Sequence, residues 1–250
     1  MSIVNTLHDI VFVRSQDRNF GTPSSYIVNL PVALKNISSI QLLSAEIPYS
    51  FYSIGSAYLA GVTFTNGTLN SAFSMSTGFH TVDTIRSALL TWLQATYPAS
   101  GVTAVNYNST MGKLSIAFTT GTLSVVTNNA GSLGYIMGVS STTTVSVSQV
   151  LTFPNVVNVY PITSLFINIT NLTANVYSTS GFNSVFRVQV NVQPNGVIFV
   201  NNAQNVFNTV YLPSTLSSLN QLNIQIVDEN NNLVDFNGQE WFFSLGVTHN

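Results

Sequence analysis

The chain is expected to be mainly β, a single jelly roll (an antiparallel β-sandwich) carrying a small α+β insertion. Three observations lead there. Apolar and polar residues alternate with period two through the C-terminal half, turn formers and prolines punctuate those runs, and one stretch near residue 80 changes to helical spacing.

Alternation is clearest in Phe186, Val188, Val190 and Val192, interleaved with Arg187, Gln189 and Asn191. A strand points successive side chains to opposite faces, so this pattern leaves one face dry and the other wet. The same period runs through Leu222, Ile224 and Ile226, and again through Trp241, Phe243, Leu245 and Val247. Between them, Asp228-Glu229-Asn230-Asn231-Asn232 is a cluster that tolerates turn geometry, so the two runs are expected to be the arms of a terminal hairpin. Further strands are expected at Tyr26 to Leu30, Ile40 to Ile47, and Leu165 to Ile169. Proline cannot donate to a ladder, so Pro31, Pro48, Pro154, Pro161, Pro194 and Pro213 are expected to mark run ends. About eight strands over 25–54 and 151–248 suit a two-sheet jelly roll.

The middle of the chain differs. Thr81 to Thr96 places Val82, Ile85, Leu89 and Leu93 at helical spacing, with Pro98 just beyond. Short strand-like runs follow at Val102 to Asn106, Leu114 to Phe118 and Leu123 to Val126, with Met111-Gly112-Lys113 as a tight turn. The expected division is therefore 1–60 with 151–250 as the sandwich, 1–20 within it as a candidate N-terminal arm, and 61–150 as the insertion.

Charge is scarce: Asp, Glu, Lys and Arg make up 6% of 250 residues, where a soluble domain carries roughly 25%. Long charged side chains keep proteins apart and cost entropy to immobilise, so a surface without them is suited to permanent assembly; a monomer solubilised by uncharged polar groups fits the same composition. Six basic residues and a net charge of −2 provide no stripe for phosphate neutralisation, which argues against nucleic acid. No apolar run approaches the roughly 18 residues that span a bilayer, and Met1-Ser2-Ile3-Val4-Asn5 has neither a signal pattern nor a myristoylation glycine. With no cysteine, a disulfide framework and thiolate metal sites are both excluded, and an intracellular folding compartment is expected.

No catalytic, cofactor-binding or metal-binding residues are assigned. The three histidines are His8, His80 and His249, in no metal-ligand spacing, and His80 reads as a capping or packing residue before the helix. Asp228-Glu229-Asn230-Asn231-Asn232 begins like a calcium loop, but Leu233 stands where the sharp turn needs Gly and Gln239 where a bidentate Glu belongs. Gly131, Gly134 and Gly138 are followed by no Lys and open no phosphate-binding helix. The sequons at Asn36, Asn66, Asn108, Asn168 and Asn171 number no more than chance gives in a chain with 29 Asn and 58 Ser plus Thr. Arg14, Asp17 and Arg18 form a local charge group, either a solvated cluster or part of an interface.

The order of several segments carries a resemblance. Arg14 to Arg18 precedes Ser25-Tyr26-Ile27-Val28-Asn29-Leu30-Pro31, then Leu34-Lys35-Asn36-Ile37 and Ile40-Gln41-Leu42-Leu43-Ser44-Ala45-Glu46-Ile47-Pro48. Gly78-Phe79-His80-Thr81, Leu133-Gly134-Tyr135, Val227-Asp228-Glu229-Asn230, Phe236-Asn237-Gly238 and Trp241-Phe242-Phe243-Ser244-Leu245 follow. This succession resembles the jelly-roll penton and minor capsid proteins of large icosahedral double-stranded-DNA viruses and virophages. The resemblance implies a structural virion protein, assembled into the capsid in the host cell. Its role would be the penton at the five-fold vertex, or a minor (cement) capsid protein. Implied partners are further copies of itself, as a homopentamer, together with the major capsid protein and other minor capsid proteins, with no nucleic acid, membrane insertion or cofactor. The alternative from another class is a carbohydrate- or receptor-binding β-sandwich using some of its 10 Tyr and 16 Phe as platforms.

Overall fold

The computed structural model describes residues 8–55, 61–126, 133–139, 143–146, 150–172, 186–201 and 209–249. The strands and helices are, in order, β1 (His8–Arg14), β2 (Phe20–Thr22), β3 (Ser25–Pro48), β4 (Val62–Thr65), β5 (Asn70–Phe73), α1 (Val82–Thr96), β6 (Val102–Asn108), β7 (Lys113–Phe118), β8 (Thr122–Val126), α2 (Leu133–Met137), β9 (Thr143–Ser146), β10 (Val150–Thr152), β11 (Ser164–Ile169), β12 (Phe186–Gln189), β13 (Val197–Asn201), β14 (Thr209–Val227) and β15 (Phe242–His249). Contacts divide the chain into two units, Met1–Phe51 with Ile162–Asn250, and Tyr52–Pro161.

In the first unit the antiparallel order is β1-β15-β3-β14-β11-β12, with β13 and β2 also pairing with β3. The 24-residue β3 joins the layers: Ser25 to Gln41 pairs with β14, while Ile37 to Glu46 pairs with β15. One core takes Val13, Ile37, Leu42, Ile167, Phe186, Ile198, Ile224 and Phe243 from seven of these strands. A sheet of this many strands gathers its inward faces around one core only by curling, which gives an antiparallel sandwich of the jelly-roll kind.

Two sequence expectations do not hold. The runs ending in Ile226 and beginning at Trp241 are not hairpin arms, because β3 lies between β14 and β15. Period two marks a strand without naming its neighbour, and the long link of residues 228–241 turns at Asp228 and then buries Val234, Phe236 and Trp241 in the core. Pro31 does not end a strand, since β3 runs through it. It sits where β14 slips register between Leu219 and Gln221 and before β15 begins pairing at Ile37, so no ladder needs its missing N–H. Pro213 lies in the second register shift of β14, between Tyr211 and Leu216.

The second unit has its own core under the sheets β10-β7-β6 and β5-β4-β8-β9. Helix α1 starts where helical spacing predicts it. Thr81 Oγ1 accepts from the Thr84 N–H and Thr84 Oγ1 from the Thr81 N–H, so two end donors are satisfied reciprocally. Ile85, Leu89 and Leu93 are buried in one stripe, and the Tyr97 hydroxyl donates to the Phe64 carbonyl at 2.7 Å. The unit boundaries fall outside the expected 60/61 and 150/151 because Ile54 and Phe153 belong to this core and Leu151 pairs with Ile116.

Candidate assembly surface

Strand β1 is at the end of the sheet order, bound on one side to β15 from His8↔Thr248 to Arg14↔Phe242. Its other edge has no strand partner among the described residues and presents a row of backbone N–H and C=O groups. The candidate arm at 1–20 is corrected accordingly: residues 8–14 are built into the sheet, and residues 1–7 lie outside the described ones. Alternation sends Val11 and Val13 inward and leaves Ile10 60% and Phe12 76% exposed.

Facing this edge is the first half of β3. Strand β2 pairs only with Ser25 to Ile27 and β15 only from Ile37 onward, so among the described residues no strand pairs with 28–36 on that side. Between the two free edges runs a groove of about 1100 Å³, lined by Ile10, Phe12, Val28, Leu30, Val32 and Leu34 among others. Val32 is 73% exposed, which makes the groove apolar on both walls.

Its polar groups sit toward its ends. His249 Nδ1 lies 2.5 Å from the Lys35 carbonyl, and Nε2 lies 3.0 Å from Asp9 Oδ2. The second contact is an ion-pair distance without hydrogen-bond alignment, because Nε2 has no partner of good geometry. Arg14 pairs bidentately with Asp17 at 2.8 and 2.9 Å in open solvent.

The charge group of Arg14, Asp17 and Arg18 therefore splits. Arg18 turns inward, with Nη1 donating to both oxygens of Glu240 and to the Ser15 carbonyl. Burial by itself would raise the Glu240 carboxyl, but hydrogen bonds from Ser15 and Arg18 and the Arg18 charge outweigh it and hold the group below the usual carboxylate range. Burial pushes the Tyr26 phenol well above its ordinary value, Glu240 adding to the effect and Arg18 opposing it.

The other singled-out residues hold structure. The backbone N–H of His80 donates to Ser53 Oγ and its Nε2 lies 2.9 Å from the Ser76 carbonyl. Asp228 Oδ1 accepts from the Asn230 and Asn232 N–H groups at 2.8 Å, closing the turn, while Glu229 Oε1 accepts from Thr163 and Ser164 N–H groups at the start of β11. Gly138, with φ of +84°, ends α2, and Gly134 lies inside it; Gly131 is outside the described residues. Asn66 and Asn108 accept from N–H groups two and three residues on, Asn171 is bonded to Gln221 and Asn223, and Asn168 is buried. Asn36 occupies the left-handed region at φ of 53°.

Sequence reasoning missed the groove. Its signal was present in Ile10-Val11-Phe12-Val13, apolar in both parities, as befits a strand whose outer side chains also seek cover.

No family model matches the chain, and no curated protein matches it. Among solved structures it is similar to the mavirus penton protein, with 13% identity, coverage of 97% of this chain and 98% of that one, and a TM-score of 0.47. Expectations about assembly therefore rest on the sequence motifs and the surface itself.

Proposed function

We propose that this chain is a structural capsid subunit that assembles with copies of itself, as the penton of the five-fold vertex, with the minor or cement position as the other placement in the same shell. The observation that carries the reading is the open groove along β1, where Ile10, Phe12 and Val32 meet water beside two edges that have no strand partner among the described residues. Protected proteins blunt such edges with charge, bulges or covering loops, whereas here no strand among the described residues covers the edge, which suits it to pairing with another chain. Depleted charge supports the same reading, since contacts between copies need bury few ions. A cyclic ring uses head-to-tail contacts that satisfy every edge, and the major capsid protein and other minor capsid proteins would surround it. Native mass spectrometry over a concentration series tests the placement. A five-copy species supports the vertex role, a monomer that binds capsomers supports the cement role, and a monomer that binds no capsid protein overturns both.

A further inference from the structure

Strands β2, β3, β14 and β11 lie side by side in the first unit, and their register sets side chains in two rows on one face. Phe20, Ile27 and Asn223 are opposite one another, and the Thr170 N–H donates to the Asn223 carbonyl at 2.8 Å, which extends the row to four residues. Thr22, Ser25, Gln225 and Asn168 make the next row. Phe20, Ile27, Asn223 and Thr170 of the first row, with Ser25 and Gln225 of the second, line a depression of about 280 Å³ that has no charged residue in its lining. Phe20, a residue 77% exposed, is part of that lining.

The polar groups there are incompletely used. Asn223 Oδ1 has no donor although it is sealed from solvent, and the Gln225 amide makes one long contact, 3.4 Å to Ser25 Oγ. The frame that carries them is fixed: Asn171 Oδ1 accepts from the Asn223 N–H at 3.0 Å, and Asn171 Nδ2 donates to the Gln221 carbonyl at 2.9 Å. The terminal torsion of an Asn is broad, so Asn223 turns its carbonyl toward an entering hydroxyl at small cost.

We infer that this face binds a neutral hexose of a glycan. A pyranose has an apolar C–H face that stacks on an exposed phenyl ring and, on its edge, neighbouring hydroxyls that both donate and accept. Side-chain amides and hydroxyls provide the matching donors and acceptors, and the volume suits one sugar ring. The lining itself holds no cation, and Arg18, whose Nε donates to the carbonyl of the lining residue Gly21 at 3.2 Å, is already engaged by Glu240, so little repays the desolvation of a sialic acid carboxylate or a sulfate. The depression shares no lining residue with the β1 groove.

The test is an array of neutral, sialylated and sulfated glycans probed with the full chain, followed by titration of the best neutral ligand. Neutral hexoses are retained, acidic forms of the same cores bind no better, and Phe20→Ala weakens binding about tenfold. Phe20→Trp keeps the platform and binds, which separates loss of stacking from loss of fold, and Phe12→Ala on β1 leaves binding unchanged. Absence of any bound neutral glycan overturns the inference, as does wild-type affinity in both Phe20→Ala and Asn223→Ala. A fall in oligomer mass for Phe20→Ala with no glycan bound also overturns it and assigns the face to contacts between copies.

Discussion

Arg18 Nη1 donates to both carboxylate oxygens of Glu240, at 2.7 and 2.8 Å, across 222 positions of the chain. Around this pair Ser15 Oγ donates to Glu240 Oε2 and accepts from the Trp241 N–H, and the Ser15 N–H donates to the Trp241 carbonyl. The turn after β1 is thus fastened to the residue that enters β15. A groove wall held this way is fixed in advance, which would lower the ordering cost of the association proposed for it.

Glu240→Gln should destabilise the fold by about 1 kcal/mol at neutral pH, a value discounted because the pair keeps roughly a third of its surface in water. The folded carboxyl is held below its unfolded value, so its contribution is complete above that value and is lost as pH falls through the folded one. Urea unfolding of both proteins across the acid range should find their gap closing below about pH 4. A gap that stays constant down to the acid limit contradicts the pairing.

Asp228 is 2% exposed and serves two backbone N–H groups. Asp228→Ala leaves those donors without an acceptor and should cost about 2–3 kcal/mol, while Asp228→Asn, which keeps one carbonyl, should cost less. Millimolar calcium should leave the melting temperature of the wild type where it is. A calcium-specific rise of several degrees would make the turn a metal site.

Two glycines in the second unit separate backbone strain from collision. Gly67 has φ of +89° with open space beside it, whereas at Gly138, with φ of +84°, an added Cβ would lie 2.4 Å from the Asn155 carbonyl oxygen. Gly67→Ala should cost about 1 kcal/mol, the price of the left-handed region alone. Gly138→Ala should cost at least twice as much, read as the difference in thermal unfolding. Equal losses in the two variants contradict the close approach at Asn155.

Local pattern was legible and neighbourhood was not. Trp241, Phe243, Leu245 and Val247 are all buried, as their alternation requires, and Thr81 caps α1 where the spacing changes. Pairing partners escaped because period two is the same whichever strand lies alongside, so the insertion of β3 between β14 and β15 left no mark in either run. Pro31 misled for a related reason: its meaning depends on whether a ladder reaches it. The β1 groove is a relation between residues 8–14 and 28–36, created by where β2 and β15 stop pairing, and no single segment encodes it. Likewise Glu240 gave no sequence sign that it would draw Arg18 out of its neighbours' charge group.

Joining of copies through the β1 edge is read by light scattering of the wild type beside Phe12→Asp. Phe12 is 76% exposed, so the substitution should leave unfolding unchanged within about 0.5 kcal/mol while placing an unpaired charge in the contact. The wild type should have a multi-copy mass and Phe12→Asp a monomer mass at the same concentration. A wild type that is monomeric at every concentration, or a Phe12→Asp protein with the wild-type oligomer mass, would contradict it.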